Sequence, residues 1–395
     1  MEYSGTTVQL RRTSDGHLHP WVYRRMVKRV SKGARDGDEA VVLAAAGRPL
    51  GRGFYHGSST IAVRIYSGDA EQPLDDDYFR ELLARSVALR RDVLALDRRT
   101  DAYRLVHAEA DGLSGLVVDR YAGVLVVEIF SKALFLRREM IRRLLLELFP
   151  GARVLVKLND LAGERERMSL PPDEAAEPGD CADVEIRENK VRFLVRPAGH
   201  KTGFFLDQRD NRERLAGLVK GAKVLDAFTY TGGFAIAART AGKARRVVAV
   251  DLDEAAIEQG RRNGELNRAE VEWTHGDVFS YLRAQQHAVE PFDVVVLDPP
   301  KWALDRGNLE QAERRYLDVN RLALRVVRRG GVLLTCSCSG LISEERFVGL
   351  VRRAARLADR RLQVFHLGGA GGDHHPVDVH CPESRYLKAI FGRAL

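Results

Sequence analysis

"KVLDAFTYTGGFAIAARTAGKARRVVAVDLD", residues 223–253, is the stretch on which the fold reading rests. A short apolar run ends in Asp226, and Gly232 and Gly233 sit in the turn that opens the helical stretch "AIAARTAG". A second apolar run, "RRVVAVDLD", closes on Asp251. Strand, turn, helix and strand in this order make a βαβ unit with polar groups at the strands' carboxyl ends. The alternation continues downstream. "EAAIEQGRRNGELN" reads as a helix, "FDVVVLDPP" (292–300) as a buried strand, "QAERRYLDVNRLALRVVRRG" as a helix, "GVLLTCSCS" (331–339) as a strand and "EERFVGLVRRAARLA" as a helix. From about residue 195 the chain is therefore predicted to form a doubly wound, mostly parallel sheet.

The first turn brings backbone N–H groups and a helix N-terminus towards a ligand. Phe228 and Tyr230 stand where the glycines of a dinucleotide-binding GxGxxG would admit a pyrophosphate, so a ligand without phosphates is better accommodated. Asp251 can accept both hydroxyls of a ribose. Asp277, in "HGDVF", can take an adenine amino group. The ordinary alternative for each strand-ending Asp is a helix N-cap. Taken together, in this order and spacing, they point to S-adenosylmethionine. The stretch resembles the class I methyltransferases, with "VLDAFTYTGGF", "VDLD", "GDVF" and "VLDPPK" at successive motif positions.

The front of the chain has a different texture. "DEAVVLAA", "LGRGFYH" and "TIAVRIYS" are short strand-like runs separated by Gly and Ser. They are preceded by "HPWVYRRMVKRVSKG" (19–33), where Trp21, Arg24, Arg25, Lys28 and Arg29 form a candidate RNA contact; the plainer reading is a small β-barrel with a solvated basic rim. "PLDDDYFRELLARSVALRRDVLAL" (73–96) reads as an amphipathic helix with an acidic first turn. "SGLVVDRY" and "GVLVVEIF" read as a hairpin, "ALFLRREMIRRLLLELF" (133–149) as a second helix and "ARVLVKL" as a strand. "SLPPDEAAEPGDCA" (169–182) is the best linker candidate. The expected division is 1–73, 74–190 and 191–395.

Bulk properties narrow the function classes. The 395 residues carry a net charge of +8, from 63 basic and 55 acidic side chains, which favours a polyanionic partner. Cys181, Cys336, Cys338 and Cys381 are too few and too scattered for a disulfide scaffold. Only one close Cys pair exists, so no metal is expected despite His374, His375, His380 and Cys381 near the C-terminus. The first residues lack the apolar centre of a signal peptide. No apolar run approaches the ~20 residues that span a bilayer. A cytoplasmic protein with no membrane partner is expected.

"VLDPPK" (296–301) puts Asp298 at a strand end with two prolines behind it. Enzymes that methylate exocyclic amines follow such prolines with an aromatic ring; here Lys301 follows, and Trp302 comes one later. The other chemistry needs a nucleophile. Carbon 5 of a pyrimidine becomes nucleophilic when a thiolate adds to carbon 6, and a cysteine on a neighbouring strand end suits that role. Asp298 would then bond nitrogen 3 of the base. Cys336 and Cys338 both stand at that strand end.

"GHKTGFFLDQRDNR" (199–212), "VLDPPK", "LLTCSCSG", "HPWVY" and "YRLVHAEADGLSGLVVDRY" (103–121) resemble, nearly end to end, the bacterial 23S ribosomal RNA cytosine-5 methyltransferases with an N-terminal PUA domain. The resemblance implies a small β-barrel PUA domain, a central α+β domain of EEHEE type and a Rossmann-like α/β methyltransferase domain. It implies 5-methylcytosine formation in 23S rRNA through a covalent cysteine–C6 adduct. On this resemblance the nucleophile would be Cys338 of Ser-Cys-Ser, and Cys336 would be a small buried hydrophobe. Phe205, Gln208 and Arg209 would surround the cofactor or base. Phe205 and Gln208 would join Asp226, Phe228, Tyr230, Gly232, Asp251, Asp277 and Asp298 at the cofactor, with Lys301 towards the RNA. "DPPK" lacks the second cysteine that helps many relatives release product, so the base for the C5 proton is open among Lys301, Cys336 and an ordered water. His375, Pro376, Glu383 and Tyr386 are read as structural. Two rivals remain: a 5-methyluridine enzyme, whose usual Ser-Cys-Asn-Pro is absent from "CSCSG", and a non-catalytic RNA-binding or ribosome-assembly factor. RNA is the expected partner, and a homodimer stays open.

Overall fold

The computed structural model describes residues 5–12, 19–158, 160–171, 183–197 and 204–395. Most of the expected linker, with Cys181, lies outside these residues. The chain divides into two compact units. One is built on residues up to 184 with 196–203 and 372–384, the other on 185–195, 204–371 and 385–395.

The second unit is built on a seven-stranded sheet. Its strands are β1 (Lys223–Ala227), β2 (Arg246–Asp251), β3 (Glu272–His275), β4 (Phe292–Leu297), β5 (Val327–Ser337), β6 (Leu362–Gly368) and β7 (Lys388–Ala394). They lie in the order β3-β2-β1-β4-β5-β7-β6. β1 to β5 are mutually parallel, whereas β7 runs antiparallel to both β5 and β6. The helices are α1 (Arg209–Ala216), α2 (Gly233–Arg239), α3 (Glu254–Leu266), α4 (Val278–Gln285), α5 (Leu309–Val326) and α6 (Glu344–Leu357).

All five residues of β1 are buried, as a central strand covered on both faces requires. Successive side chains of a strand point to opposite faces. Leu225, Val248, Val295 and Leu297 therefore pack against Val319, Leu322 and Ala323 of α5 on one side. On the other, Val224, Val247, Ala249 and Val294 meet Phe234, Ala235 and Ala238 of α2. The helices start where their capping residues dictate. Asp253, Asp277 and Ser343 each accept the backbone N–H three residues on, opening α3, α4 and α6. Because the strand order reverses between β1 and β4, the crevice at their carboxyl ends is the expected ligand site.

A hairpin of Val184–Glu188 and Val191–Val195 is tied to α1 by a buried ion pair. Arg212 reaches both carboxylate oxygens of Glu188 at 2.7 Å, with both side chains under 5% exposed. The same guanidinium donates to the Phe205 carbonyl at 3.0 Å and lies over the Phe204 ring. Arg212→Met would leave Glu188 buried without a counter-charge, and a stability loss of ~3–5 kcal/mol is expected in urea unfolding. An unchanged midpoint would show that water reaches this pair.

Among the described residues the first unit holds two sheets. The six-stranded one runs Trp21–Tyr23, Ile61–Ser67, Pro49–Tyr55, Glu39–Leu43, Thr6–Leu10, Val27–Val30. The four-stranded one runs Arg153–Leu158, Val124–Ile129, Leu116–Tyr121, Ala102–His107. The helix expected over 73–96 covers Asp76–Ala88, capped by the Asp75 carboxylate. The helix expected over 133–149 is broken into Lys132–Leu136 and Arg138–Leu148. The break falls at Arg137, whose guanidinium stacks 4.0 Å from the Phe54 ring centre and donates to the Gly37 carbonyl. A continuous apolar pattern could not show that pull.

Candidate active site

The carboxyl ends of β1, β2, β4 and β5 bring most of the expected residues together. After β1 the backbone is contorted: Phe228, Tyr230 and Gly232 have φ of 65°, 51° and 85°. Left-handed backbone in two aromatic residues costs on the order of 1–3 kcal/mol each, and such strain collects at ligand sites. Gly232 is required twice over, because a Cβ there would also lie 2.5 Å from the Trp273 ring. Two carboxylates hold this turn. Asp226 Oδ2 accepts the Thr229 hydroxyl at 2.6 Å and the Ala235 N–H at 2.9 Å. Asp251 accepts the N–H of Tyr230 on one oxygen and that of Asp253 on the other.

Burial raises the Asp226 carboxyl to about 6, and its Oδ1 is buried without a hydrogen-bond partner among the described residues. Asp251 stays partly exposed, and each of its oxygens keeps a second lone pair for ribose hydroxyls. Asp277 is exposed, and one of its oxygens caps α4 through the Ser280 N–H, so the helix-cap reading holds. Phe205, 36% exposed, meets the Tyr230 ring edge-on at 5.1 Å. A carboxylate-rich ledge with aromatic faces fits an adenosine that carries a positive charge. It does not fit a pyrophosphate.

The chemistry-bearing groups lie at the next two strand ends. Asp298 follows β4, and its Oδ1 accepts the Gln208 amide at 2.8 Å. The Gln208 oxygen is held in turn by Asn211 at 2.7 Å. Burial, then the charges of Asp207 and Asp226, push the Asp298 carboxyl up to about 8, so it carries its proton at neutrality. Cys338 follows β5, with Sγ 4.0 Å from the carbonyl oxygen of Pro299. It is partly exposed, whereas Cys336 is wholly buried within the strand. Burial pushes the Cys338 thiol up to about 12 and also raises the Cys336 thiol well above the ordinary value.

Sequence reasoning missed two neighbours, Asp207 and Lys388, and read Tyr386 as structural only. Asp207 accepts the Tyr386 hydroxyl at 2.6 Å. Lys388, buried and lowered to about 8 by desolvation, donates to the carbonyls of Ser339 at 2.6 Å and Tyr386 at 2.7 Å, fixing the turn beyond Cys338. Their signal was present in "FFLDQR" and "RYLKAIF", which carry charge inside apolar runs. Arg209 is fully buried, and Lys301, three residues past Asp298, is exposed. Trp302 is not free to stack on a base. It packs 4.7 Å from Tyr316, with Phe228 and Phe279 on its other sides.

In the first unit Arg25, Lys28 and Arg29 are exposed, but Arg24 is bound to the carbonyls of Ser59 and His56 and clamps a loop. Trp21 is half-buried, and its indole N–H is held by Glu109 at 2.8 Å. His19, Cys381 and Glu383 also converge. His19 Nδ1 accepts the Trp21 N–H at 3.0 Å, so a neutral ring carries its proton on Nε2, 3.4 Å from Glu383. That tautomer makes the ring a donor to the carboxylate and leaves no lone pair for a metal.

Comparison with known proteins agrees with this geometry. The pattern of the S-adenosylmethionine-dependent methyltransferases matches residues 104–364, and that of PUA-like domains matches 16–68. Ribosomal RNA large subunit methyltransferase I of Aeromonas salmonicida is 40% identical over 385 residues, 95% of either chain. The protein of that name from Shewanella denitrificans is 37% identical over 382 residues, again 95% of each. In fold, the chain is similar to a methyltransferase crystallised with SAH, at a TM-score of 0.80 and 20% identity over 98% of this chain and 99% of that one. Among the described residues no helix is long and apolar enough to cross a membrane. With its carboxylates and cysteine gathered at the strand ends and this likeness running along nearly its whole length, the chain belongs to the S-adenosylmethionine-dependent methyltransferases, and within them to the ribosomal RNA large subunit methyltransferase I family.

Proposed function

We propose that the protein forms 5-methylcytosine in 23S ribosomal RNA, in the cytoplasm, through a covalent bond between Cys338 and carbon 6 of the base. The observation that carries this reading is the placement of the partly exposed Cys338 and of Asp298 just past the ends of adjacent parallel strands, with the Cys338 Sγ 4.0 Å from the Pro299 carbonyl beside Asp298. Bound on the ledge of Asp226, Phe228, Tyr230, Gly232, Asp251 and Asp277, S-adenosylmethionine supplies an electrophilic methyl group. Phe205 and Gln208 complete that ledge.

The residues of the chain do the rest. The Cys338 thiolate adds to C6, and the Asp298 proton passes to N3, so that electron density collects at C5. Gln208 keeps one Asp298 oxygen occupied and thereby turns the protonated one towards the base. A donor at this point suits cytosine, whose N3 is an acceptor, and not uracil, whose N3 carries hydrogen. The packing of Trp302 into the core argues against methylation of an exocyclic amine. Intact Asp226, Asp251, Asp298 and Cys338 argue against a purely structural factor.

The three-part division 1–73, 74–190 and 191–395 belongs to the same proposal. In it Trp21, Arg25, Lys28 and Arg29 of the front domain meet the RNA, with Lys301 at the site, while Arg24 shapes the surface. The test is an RNA fragment with 5-fluorocytidine at the target. A denaturation-resistant protein–RNA complex is expected, because fluorine cannot leave as a proton. Nucleoside analysis showing 5-methyluridine or N4-methylcytidine as the product would overturn the reading.

A further inference from the structure

The reaction above needs a base for the C5 proton. Asp207 sits in the single turn Leu206–Gln208, one residue before the Gln208 that contacts Asp298. It is 8% exposed. Its Oδ2 accepts the Tyr386 hydroxyl at 2.6 Å, and its own carbonyl accepts the Gly371 N–H at 2.9 Å. Its Oδ1 is buried and has no hydrogen-bond partner among the described residues. A buried acceptor left unpaired is costly, and such groups call for a functional explanation.

The charge of Asp207 is felt by Asp298, Cys336 and Cys338 alike, raising all three. Tyr386, Cys336 and Cys338 also pack into one cluster. Asp207 is thus tied to both reacting strand ends, through Gln208 on Asp298 and through Tyr386 in the cluster that holds Cys336 and Cys338. Of the other side chains considered, Cys336 is sealed inside β5 and Lys301 is solvent-exposed.

We propose that Asp207 is the base that takes the C5 proton, with Tyr386 as the positioning residue that holds the carboxylate in line. The inference rests on the covalent reading above. After methylation C5 carries both a methyl group and a hydrogen. Asp207 Oδ1 takes that hydrogen as a proton, and the C5–H electron pair becomes the C5–C6 double bond. The C6–S pair leaves on Cys338 as thiolate, and the N3 proton returns to the Asp298 carboxylate. Asp207 then loses its proton to water. A base oriented by a third group is the same logic that arranges nucleophile–base pairs elsewhere.

The experiment uses full-length Asp207→Asn, large-subunit ribosomal RNA from cells lacking the gene, and cofactor labelled in its methyl group. The amide cannot accept the proton, so addition and methyl transfer proceed while elimination stalls. A labelled, denaturation-resistant complex should accumulate with ordinary cytidine, and turnover should fall about 10²–10⁴-fold. Cofactor affinity should be unchanged. Asp207→Glu should recover part of the turnover, and Cys338→Ala in the Asp207→Asn background should erase the complex. Tyr386→Phe, which keeps the ring, should show the same stalled complex to a smaller degree; it carries the test if Asp207→Asn does not fold. Wild-type turnover in Asp207→Asn would overturn the assignment. So would loss of cofactor affinity without any complex, which would make Asp207 a ligand of the cofactor. Failure of the parent reading looks different: the wild-type protein would then give no complex with 5-fluorocytidine RNA.

Discussion

Cys338→Ala should abolish methylation, with a loss on the order of 10⁴-fold or more, while cofactor affinity stays within about twofold. Cys336→Ala, two residues earlier, should keep both turnover and the 5-fluorocytidine complex. The contrast follows from position. Cys338 lies past the last residue of β5 and is partly exposed, whereas Cys336 is fully buried opposite Ala389 of β7. Calorimetry with cofactor and gel analysis of trapped complexes separate the two variants from misfolded protein. A complex that survives Cys338→Ala and vanishes in Cys336→Ala would move the nucleophile into the strand and reverse the assignment.

Asp298 should set the shape of the pH profile. Its carboxyl group, raised to about 8 by burial and by Asp207 and Asp226, is the active acid below that pH. The Cys338 thiol, pushed up to about 12, yields its active thiolate in rising proportion as pH increases. Below pH 8 the acid is fully present and the rate climbs with the thiolate. Above pH 8 the loss of acid cancels the gain of thiolate, and the wild-type rate should level off. Asp298→Asn cannot titrate, so its lower rate should keep climbing through pH 8 and beyond. Asp298→Ala should cost about 10²–10⁴-fold, the usual range for general acid–base catalysis. Identical profiles for wild type and Asp298→Asn would remove Asp298 from the proton transfer.

Much of this site was legible because strand ends announce themselves. An apolar run that stops at a carboxylate or a thiol, four times over, locates Asp226, Asp251, Asp298 and Cys338 without any knowledge of packing. Spacing along the chain carries no information about groups that meet from far away. Asp207 and Tyr386 are 179 residues apart and come together only because β7 runs back along β5. The same limit explains Arg24, which looked like a free cation in "RRMVKR" until its carbonyl partners 32 and 35 residues away were in view. Trp302 looked available beside "DPPK" because sequence does not show that Tyr316 lies against it.

The reversed strand also bears on when the enzyme becomes active during its own synthesis. β7 lies inside the sheet, between β5 and β6, yet it is translated after every other strand. Until it emerges, β6 has no partner in the sheet and the turn beyond Cys338 lacks the Lys388 ammonium that ties down the Ser339 carbonyl. Tyr386, which steers Asp207, arrives with the same segment. Domains mature from the N-terminus during translation, so a nascent chain can complete its cofactor ledge while the reaction centre is still unfinished. Catalytic competence is thereby deferred until the segment that carries Tyr386 and Lys388 has been made, and a polypeptide stalled short of residue 386 is a methyltransferase in outline only.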